Sequence, residues 1–355
     1  MFAQRLVCSW IGALGFAAGA FGQTYVGVDV AGPCCGGATL ETHPASINKQ
    51  GDIAGYYADT LTGNYHGFVL PAGGTFRSFD VLPIGFNRGT FPHSINDAGA
   101  ITGYVLANVS PSGVNHGFVR DPAGNITTFD PPGSTNTQAY SINAGGAITG
   151  YYYDANLVIH GVVREPSGKI TSFDPPGSTS TRPVGINANG IIAGSYSNAN
   201  GNHGFVRGLW GTIESFDPPE STGTTVTAIN DAGAITGYYP VANGRIFGFV
   251  RRPDGTFERF DVPGTLLTAS SINDEGAITG SYSDSSGSHG FVRSPGGTIT
   301  SFDPPTAQTG CNNPFSHGAS TTSINQAGVI VGSCPTGFVT NFIAGFERYP
   351  PAPGF

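Results

Sequence analysis

Five times the sequence sets a histidine fourteen residues ahead of an aspartate: His66 and Asp80, His116 and Asp130, His160 and Asp174, His203 and Asp217, His289 and Asp303. A short turn such as Pro122-Ala123-Gly124 lies between the partners, so each pair faces across a hairpin. A carboxylate that orients an imidazole is the arrangement of a positioned general base. Catalysis needs one such pair, however, and here five recur, while Phe247 and Thr336 stand in for the histidine in two further copies. Recurrence of this kind reads as a cross-strand pair closing the edge of a structural unit. Four residues on come Arg120, Arg164, Arg207, Arg251 and Arg293. They fall at the far end of their strands from the aspartates, which rules out a bridge within the unit and leaves solvated rim charges as the expectation.

Other motifs of chemistry are missing. There is no G-x-S-x-G elbow, no H-E-x-x-H pair and no phosphate-gripping glycine loop. The loops YSNANGNH (196–203) and YSDSSGSH (282–289) lack the alternating acidic ligands of an EF-type calcium loop. Neither a metal nor another cofactor is expected. A net charge of −8 without a basic stripe argues against nucleic acid, and against docking on an anionic membrane surface.

The elements that carry these residues are written in the repeat. An Ile-Asn dipeptide ends at Asn48, Asn96, Asn143, Asn187, Asn230, Asn273 and Asn325, with steps of 43 to 52 residues. Glycine follows each asparagine by three places, a tight-turn signature, and Ile-x-Gly comes next. A second string, HGFV or a variant, stands at 66–69, 116–119, 160–163, 203–206, 247–250, 289–292 and 336–339. Thirteen residues after its first letter comes an aromatic: Phe79, Phe129, Phe173, Phe216, Phe260, Phe302 or Tyr349. One copy therefore parses into four strands, a to d: in the third these are 138–143, 147–154, 159–165 and 169–174. Copies begin near 43, 91, 138, 182, 225, 268 and 320. Four antiparallel strands per period match propeller blades. The expected fold is all-β, a single seven-bladed β-propeller of four-stranded blades over residues 23–355. The alternative is another all-β repeat such as a stacked solenoid.

Residues 1–22 read as a secretory signal peptide, with Arg5 before an apolar core from Leu6 to Phe16 and Ala18-Gly19-Ala20 at a cleavage site. No later segment could cross a membrane, so a soluble protein is expected, exported to the periplasm or exterior and monomeric. Four cysteines would remain, Cys34, Cys35, Cys311 and Cys334. All four are expected on one face at the junction of the first and last blades, as one or two disulfides whose pairing stays open. Two readings of that junction also stay open. GFERY (345–349) resembles the d strand of an earlier copy, yet TYVGVDV (24–30) reads as a d strand too. The N-terminal strand either takes the outer edge of the seventh blade or adds a fifth strand to it.

The strings SINDAGAITGY, HGFV and FDPPGSTNTQAYSIN (129–143) resemble the HAF-type extracellular repeat. The resemblance spans residues 43–349 and departs in writing HGF for HAF and FDPPG for a leucine–glycine string. It implies export and repetition, and no activity.

Function is expected where the repeat breaks. Three insertions, 81–93, 106–115 and 306–320, fall on the cysteine-bearing face, and loops on a rigid scaffold are the usual place for binding residues. Arg88, His93, Asn312, Asn313 and His317 are the candidates. At the channel mouth the innermost strand shows mainly Ser, Thr, Ala and Asn, which leans against catalysis. The expected role is a non-catalytic module binding a protein or glycan; the alternative is an exported lyase or hydrolase acting on carbohydrate or peptide.

Overall fold

The computed structural model describes residues 24–28, 41–59, 63–81, 87–107, 114–262, 264, 266–304, 317–336 and 342–350. Residues 1–22 lie outside them. Among the described residues every regular element is a β-strand and no helix occurs. No helix there is long and apolar enough to cross a membrane.

Each copy folds as a meander. In the fifth, Thr225–Ile229, Ile235–Pro240, Ile246–Arg251 and Phe257–Phe260 pair in sequence, each antiparallel to the next. The first turn is built by its asparagine. The Gly233 N–H donates to the Asn230 carbonyl at 3.0 Å, and the Ala234 N–H donates to Asn230 Oδ1 at 2.8 Å. Gly233 takes φ 83°, a value open to glycine at little cost. Gly237 serves packing instead, because a Cβ there would lie 2.0 Å from the Thr225 carbonyl oxygen. The isoleucine opening each second strand and the phenylalanine of the Gly-Phe string are buried between neighbouring sheets, as Ile235 and Phe249 illustrate. The innermost strand carries a recurrent bulge, at Val226/Ala228 here and at Ala139/Ser141 in the third copy.

The last copy departs from the expected parse. Thr24–Val28 pairs antiparallel with Phe342–Tyr349, which pairs with Ile330–Thr336, which pairs with Ser320–Ile324. So GFERY belongs to the third strand of this sheet rather than to an outer one. Gly345-Phe346-Glu347-Arg348 is itself the Gly-Phe-x-Arg string, with Phe346 opposite Gly332 as Phe249 is opposite Gly237. The N-terminal strand is the fourth of this sheet, with Val28 opposite Gly345 where other copies put phenylalanine. Val28 is buried with Ile47, Ile53 and Phe68 of the first copy and with Val329 and Val331 of the last.

Neighbouring copies are joined by side chains as well as by core. The guanidinium of Arg120 lies 5.1 Å from the centre of the Phe79 ring in the preceding copy. Arg164 covers Phe129, Arg207 covers Phe173, Arg251 covers Phe216, Arg293 covers Phe260 and Arg348 covers Phe302. These arginines are not solvated rim charges: Arg251 and Arg293 are 5 % and 3 % exposed. They also pair across copies with Glu214 and Glu258. A weakly hydrated planar cation suits such a partly apolar slot better than lysine would.

Candidate functional site

The His–Asp pairs form, and they are structural. His66 Nδ1 lies 2.9 Å from Asp80, His116 Nδ1 2.6 Å from Asp130, and His203 Nδ1 2.7 Å from Asp217. The second carboxylate oxygen turns to the next copy, where it accepts Thr137 Oγ1 at 2.6 Å on Asp130 and Thr181 Oγ1 at 2.5 Å on Asp174. Both threonines are fully buried. Hydrogen bonding to Asp80 raises the His66 pKa. Where Phe247 replaces the histidine, Arg245 takes its place against Asp261.

A cavity of about 200 Å³ is lined by the Ile-Asn steps of every copy. Each asparagine side-chain amide donates to the backbone carbonyl of the next one: Asn48 to Asn96 at 3.2 Å, Asn96 to Asn143 at 3.0 Å, and onward to Asn325. The residue after the asparagine points into the same space. Lys49 Nζ lies 3.4 Å from Asp97, 3.6 Å from Asp231 and 3.4 Å from Asp274. The other oxygens of these aspartates accept backbone N–H groups of Lys49, Ala188 and Asp231. Burial works against the lysine charge, but the carboxylates of Asp97 and Asp274 outweigh it and raise its pKa. This end of the molecule is an internally satisfied polar ring.

The opposite ends of the innermost strands, three to five residues before each asparagine and so roughly 10–15 Å away, carry a different lining. Here an aromatic crescent runs through the first three copies. His43 stacks on Tyr56 at 4.6 Å, Tyr56 meets Phe91 edge-on at 5.1 Å, and Phe91 stacks on Tyr104 at 4.9 Å. His93 lies between Tyr104 at 5.4 Å and Tyr140 at 4.5 Å, and Tyr140 stacks on Tyr151 at 5.5 Å. Arg182 closes the row, 4.6 Å over the Tyr151 ring. Most of these rings are half-buried. Desolvation pushes the His93 pKa down to about 4 and Tyr104 up to about 12. The crescent is thus an uncharged row of rings at neutral pH, bounded by Glu41 at 3.8 Å from His43 at one end and by Arg182 at the other. In the remaining copies the innermost strand holds Thr225, Thr268 and Ser320, or Thr227, Ser270 and Thr322, and the second strand holds Tyr238, Ser281 and Ser333 opposite the first three of these.

Of the residues singled out by sequence, His93 joins this wall. It belongs to the strand Asn87–Ile95 rather than to a loop, because the segment 87–93 continues the innermost strand instead of bulging from it. Arg88 lies on the same strand, next to a register shift at Asn87/Gly89, and its side chain is outside the described residues. His317 belongs to a two-residue strand pairing parallel with Gly287 and Ser288; its side chain, and Asn312 and Asn313 entirely, lie outside them. Cys334 is buried and disulfide-bonded, while Cys34, Cys35 and Cys311 are outside the described residues. The expectation of a Ser, Thr, Ala and Asn channel mouth holds for the last three copies and fails for the first four. The missed signal was visible as His43, Phe91, Tyr140 and Arg182 at one repeat position or two places from it.

No family model matches the chain, and no curated protein matches it. Solved structures do. A streptogramin B lyase is similar over 92 % of this chain and 98 % of its own, with 13 % identity and a TM-score of 0.57. A catalytically inactive virginiamycin B lyase from Staphylococcus aureus, solved with quinupristin, covers 92 % and 99 % at 10 % identity and a TM-score of 0.59. The β-propeller domain of the Trilobed protease of Pyrococcus furiosus covers 87 % and 95 % at 10 % identity, again with a TM-score of 0.59. Together with the all-β meanders, these likenesses identify the fold as a β-propeller.

Proposed function

We propose that this chain is an exported, closed seven-bladed propeller that binds a glycan along the aromatic crescent without transforming it. The observation carrying the proposal is the break in repeat symmetry: the first three copies line the inner rim with a continuous row of rings, while the innermost strands of the last three carry hydroxyls, with Tyr238 a single ring beside them. Packing alone would not require this, since the Ser and Thr copies build the same sheet. A sugar ring offers C–H groups to lie against the edges of these stacked rings and hydroxyls for Gln138, Thr225 and Thr268 to meet. Recognition sites combine an aromatic lining with a few placed polar groups in just this way.

Closure at seven blades is supported by the pairing of Thr24–Val28 with the last sheet and by the bond from Thr322 Oγ1 to the Pro44 carbonyl at 2.8 Å. Export is supported by the character of residues 1–22 and by the HAF-like repeat. A disulfide from Cys334 to Cys34, Cys35 or Cys311 would then staple the junction.

A glycan array followed by calorimetry tests the reading. The protein should bind a discrete set of glycans, and Tyr140→Ala should weaken binding at least tenfold, the loss expected of an aromatic anchor. Lack of binding to every glycan, or equal affinity in the variant, would overturn it. Shortened or unsaturated products after incubation would favour the lyase or hydrolase instead.

A further inference from the structure

We infer that Arg182 makes the crescent selective for glycans bearing a carboxylate on the sugar ring, a uronate; this rests on the glycan reading above. At the repeat position of Arg182 the other copies place His43, Phe91, Gln138, Thr225, Thr268 and Ser320, so a cation occurs there once. It stands where the aromatic half of the rim gives way to the hydroxyl half. Arg245, Arg251, Arg252, Arg259 and Arg293 each face a carboxylate. Arg182 is exposed and has no carboxylate within ion-pair distance among the described residues.

Its guanidinium rests on the Tyr151 ring at 4.6 Å. A neutral aromatic orients the cation without cancelling its charge. The Tyr151 hydroxyl is occupied, donating to Gln138 Oε1 at 2.6 Å, which fixes the ring beneath the arginine. A planar guanidinium held by its face directs its N–H donors in plane; the Tyr153 and Tyr151 hydroxyls engage part of them, and the rest can meet a carboxylate. A pyranose lying against the partly exposed edge of Tyr140, whose faces are taken by His93 and Tyr151, would bring a ring carboxylate within reach of the guanidinium. The rings next to it carry no competing charge, since the neighbouring His93 stays neutral and the one carboxylate of the wall, Glu41, lies at its far end beside His43. Ligand charge and site charge are therefore complementary at one defined point.

The test compares oligogalacturonate with a neutral xylo-oligosaccharide and a sulfated oligosaccharide of equal length, by calorimetry at low and high salt. Wild-type protein should bind the uronate at least tenfold more tightly than the neutral chain, with the difference shrinking as salt rises. Arg182→Gln should abolish that preference and leave neutral binding within twofold, with an unchanged melting temperature as the folding control. Tyr140→Ala should weaken both. Uronate and neutral chains bound equally, a preference surviving in Arg182→Gln, or stronger binding of the sulfated chain would each overturn the carboxylate assignment while leaving the crescent as a glycan site. Absence of binding to all three would overturn both.

Discussion

The side-chain amide of Asn325 donates to the backbone carbonyl of Asn48 at 3.2 Å, across 277 residues of sequence. With this bond the asparagine relay returns to its start, so each of the seven asparagines gives one amide proton and accepts at one carbonyl. Each also holds its own turn through Oδ1, as Asn325 does with the Val329 N–H at 2.9 Å. Both bonds are buried. Asn230→Ala should therefore leave the Ala234 N–H unsatisfied and take from the Asn273 carbonyl one of its two donors, the Gly276 N–H remaining, costing about 1–3 kcal/mol. Asn230→Asp keeps the acceptor and should cost less. Urea denaturation with an unchanged m-value measures both; losses under about 0.5 kcal/mol would show that water replaces the relay.

His93 makes stability sensitive to acid. Its pKa falls from 6.5 unfolded to about 4 folded, by desolvation among Tyr104 and Tyr140. Between those values the unfolded chain binds the proton and the folded one does not. Its contribution is thus present above pH 6.5 and lost as pH falls toward 4, by up to about 3 kcal/mol. His66 acts with the opposite sign: its raised pKa stabilises fully below 6.5 and the benefit fades as pH climbs through the folded value. His93→Gln should flatten the fall in melting temperature between pH 6.5 and 4, and His66→Gln should not. An identical acid profile in wild type and His93→Gln would contradict the assignment.

These two residues also show what could be read from sequence. The asparagine turn was legible because local chemistry dictates it: Asn caps, Gly takes positive φ, and the pattern recurs. The His–Asp pairing was legible because a fixed offset over a short hairpin sets the register. The Arg-over-Phe contacts were not, since they join residues of different copies and depend on how sheets stack. The last copy was misparsed because Gly-Phe-Glu-Arg fits two strand templates, which the pairing of Phe346 with Gly332 and the Arg348 slot over Phe302 separate. His93 was placed in a loop because a lengthened link and a lengthened strand look alike in one dimension. The crescent is visible only when residues 43, 91, 138 and 182 are aligned and the neighbouring second strands are laid beside them.

The N-terminal strand should behave as a fastening. Val28 is 3 % exposed in the core shared by the first and last copies. Val28→Ala should destabilise by about 1–2.5 kcal/mol through lost burial and an imperfectly filled space. Val28→Asp should cost more, because the carboxylate would be buried without a partner. Removing residues 24–28 also exposes the edge of Phe342–Tyr349, and such an edge promotes association. Calorimetry and light scattering read the two effects; a truncated chain that melts and stays dispersed like the intact one would refute the role.

One turn is strained and can be relieved. In Pro131-Pro132-Gly133-Ser134 and Pro175-Pro176-Gly177-Ser178 the glycine takes φ 79° and 75°, and serine donates back to the first proline carbonyl at 3.1 Å. The fourth copy makes the same bond from Ser221 to Pro218 at 3.2 Å, but with Glu220 at φ 67°. A left-handed backbone costs a non-glycine residue about 1–2 kcal/mol. The compensating contact, Glu220 with Arg259 at 3.6 Å, is a solvent-exposed pair, worth about 0.5 kcal/mol or less. Glycine gives back part of the gain through the entropy of the unfolded chain. Glu220→Gly should still stabilise by roughly 0.5 kcal/mol, raising the melting temperature by about 1–2 °C, and Gly177→Glu should lower it. A melting temperature that falls in Glu220→Gly would mean that the glutamate does more for this turn than its pair with Arg259 accounts for.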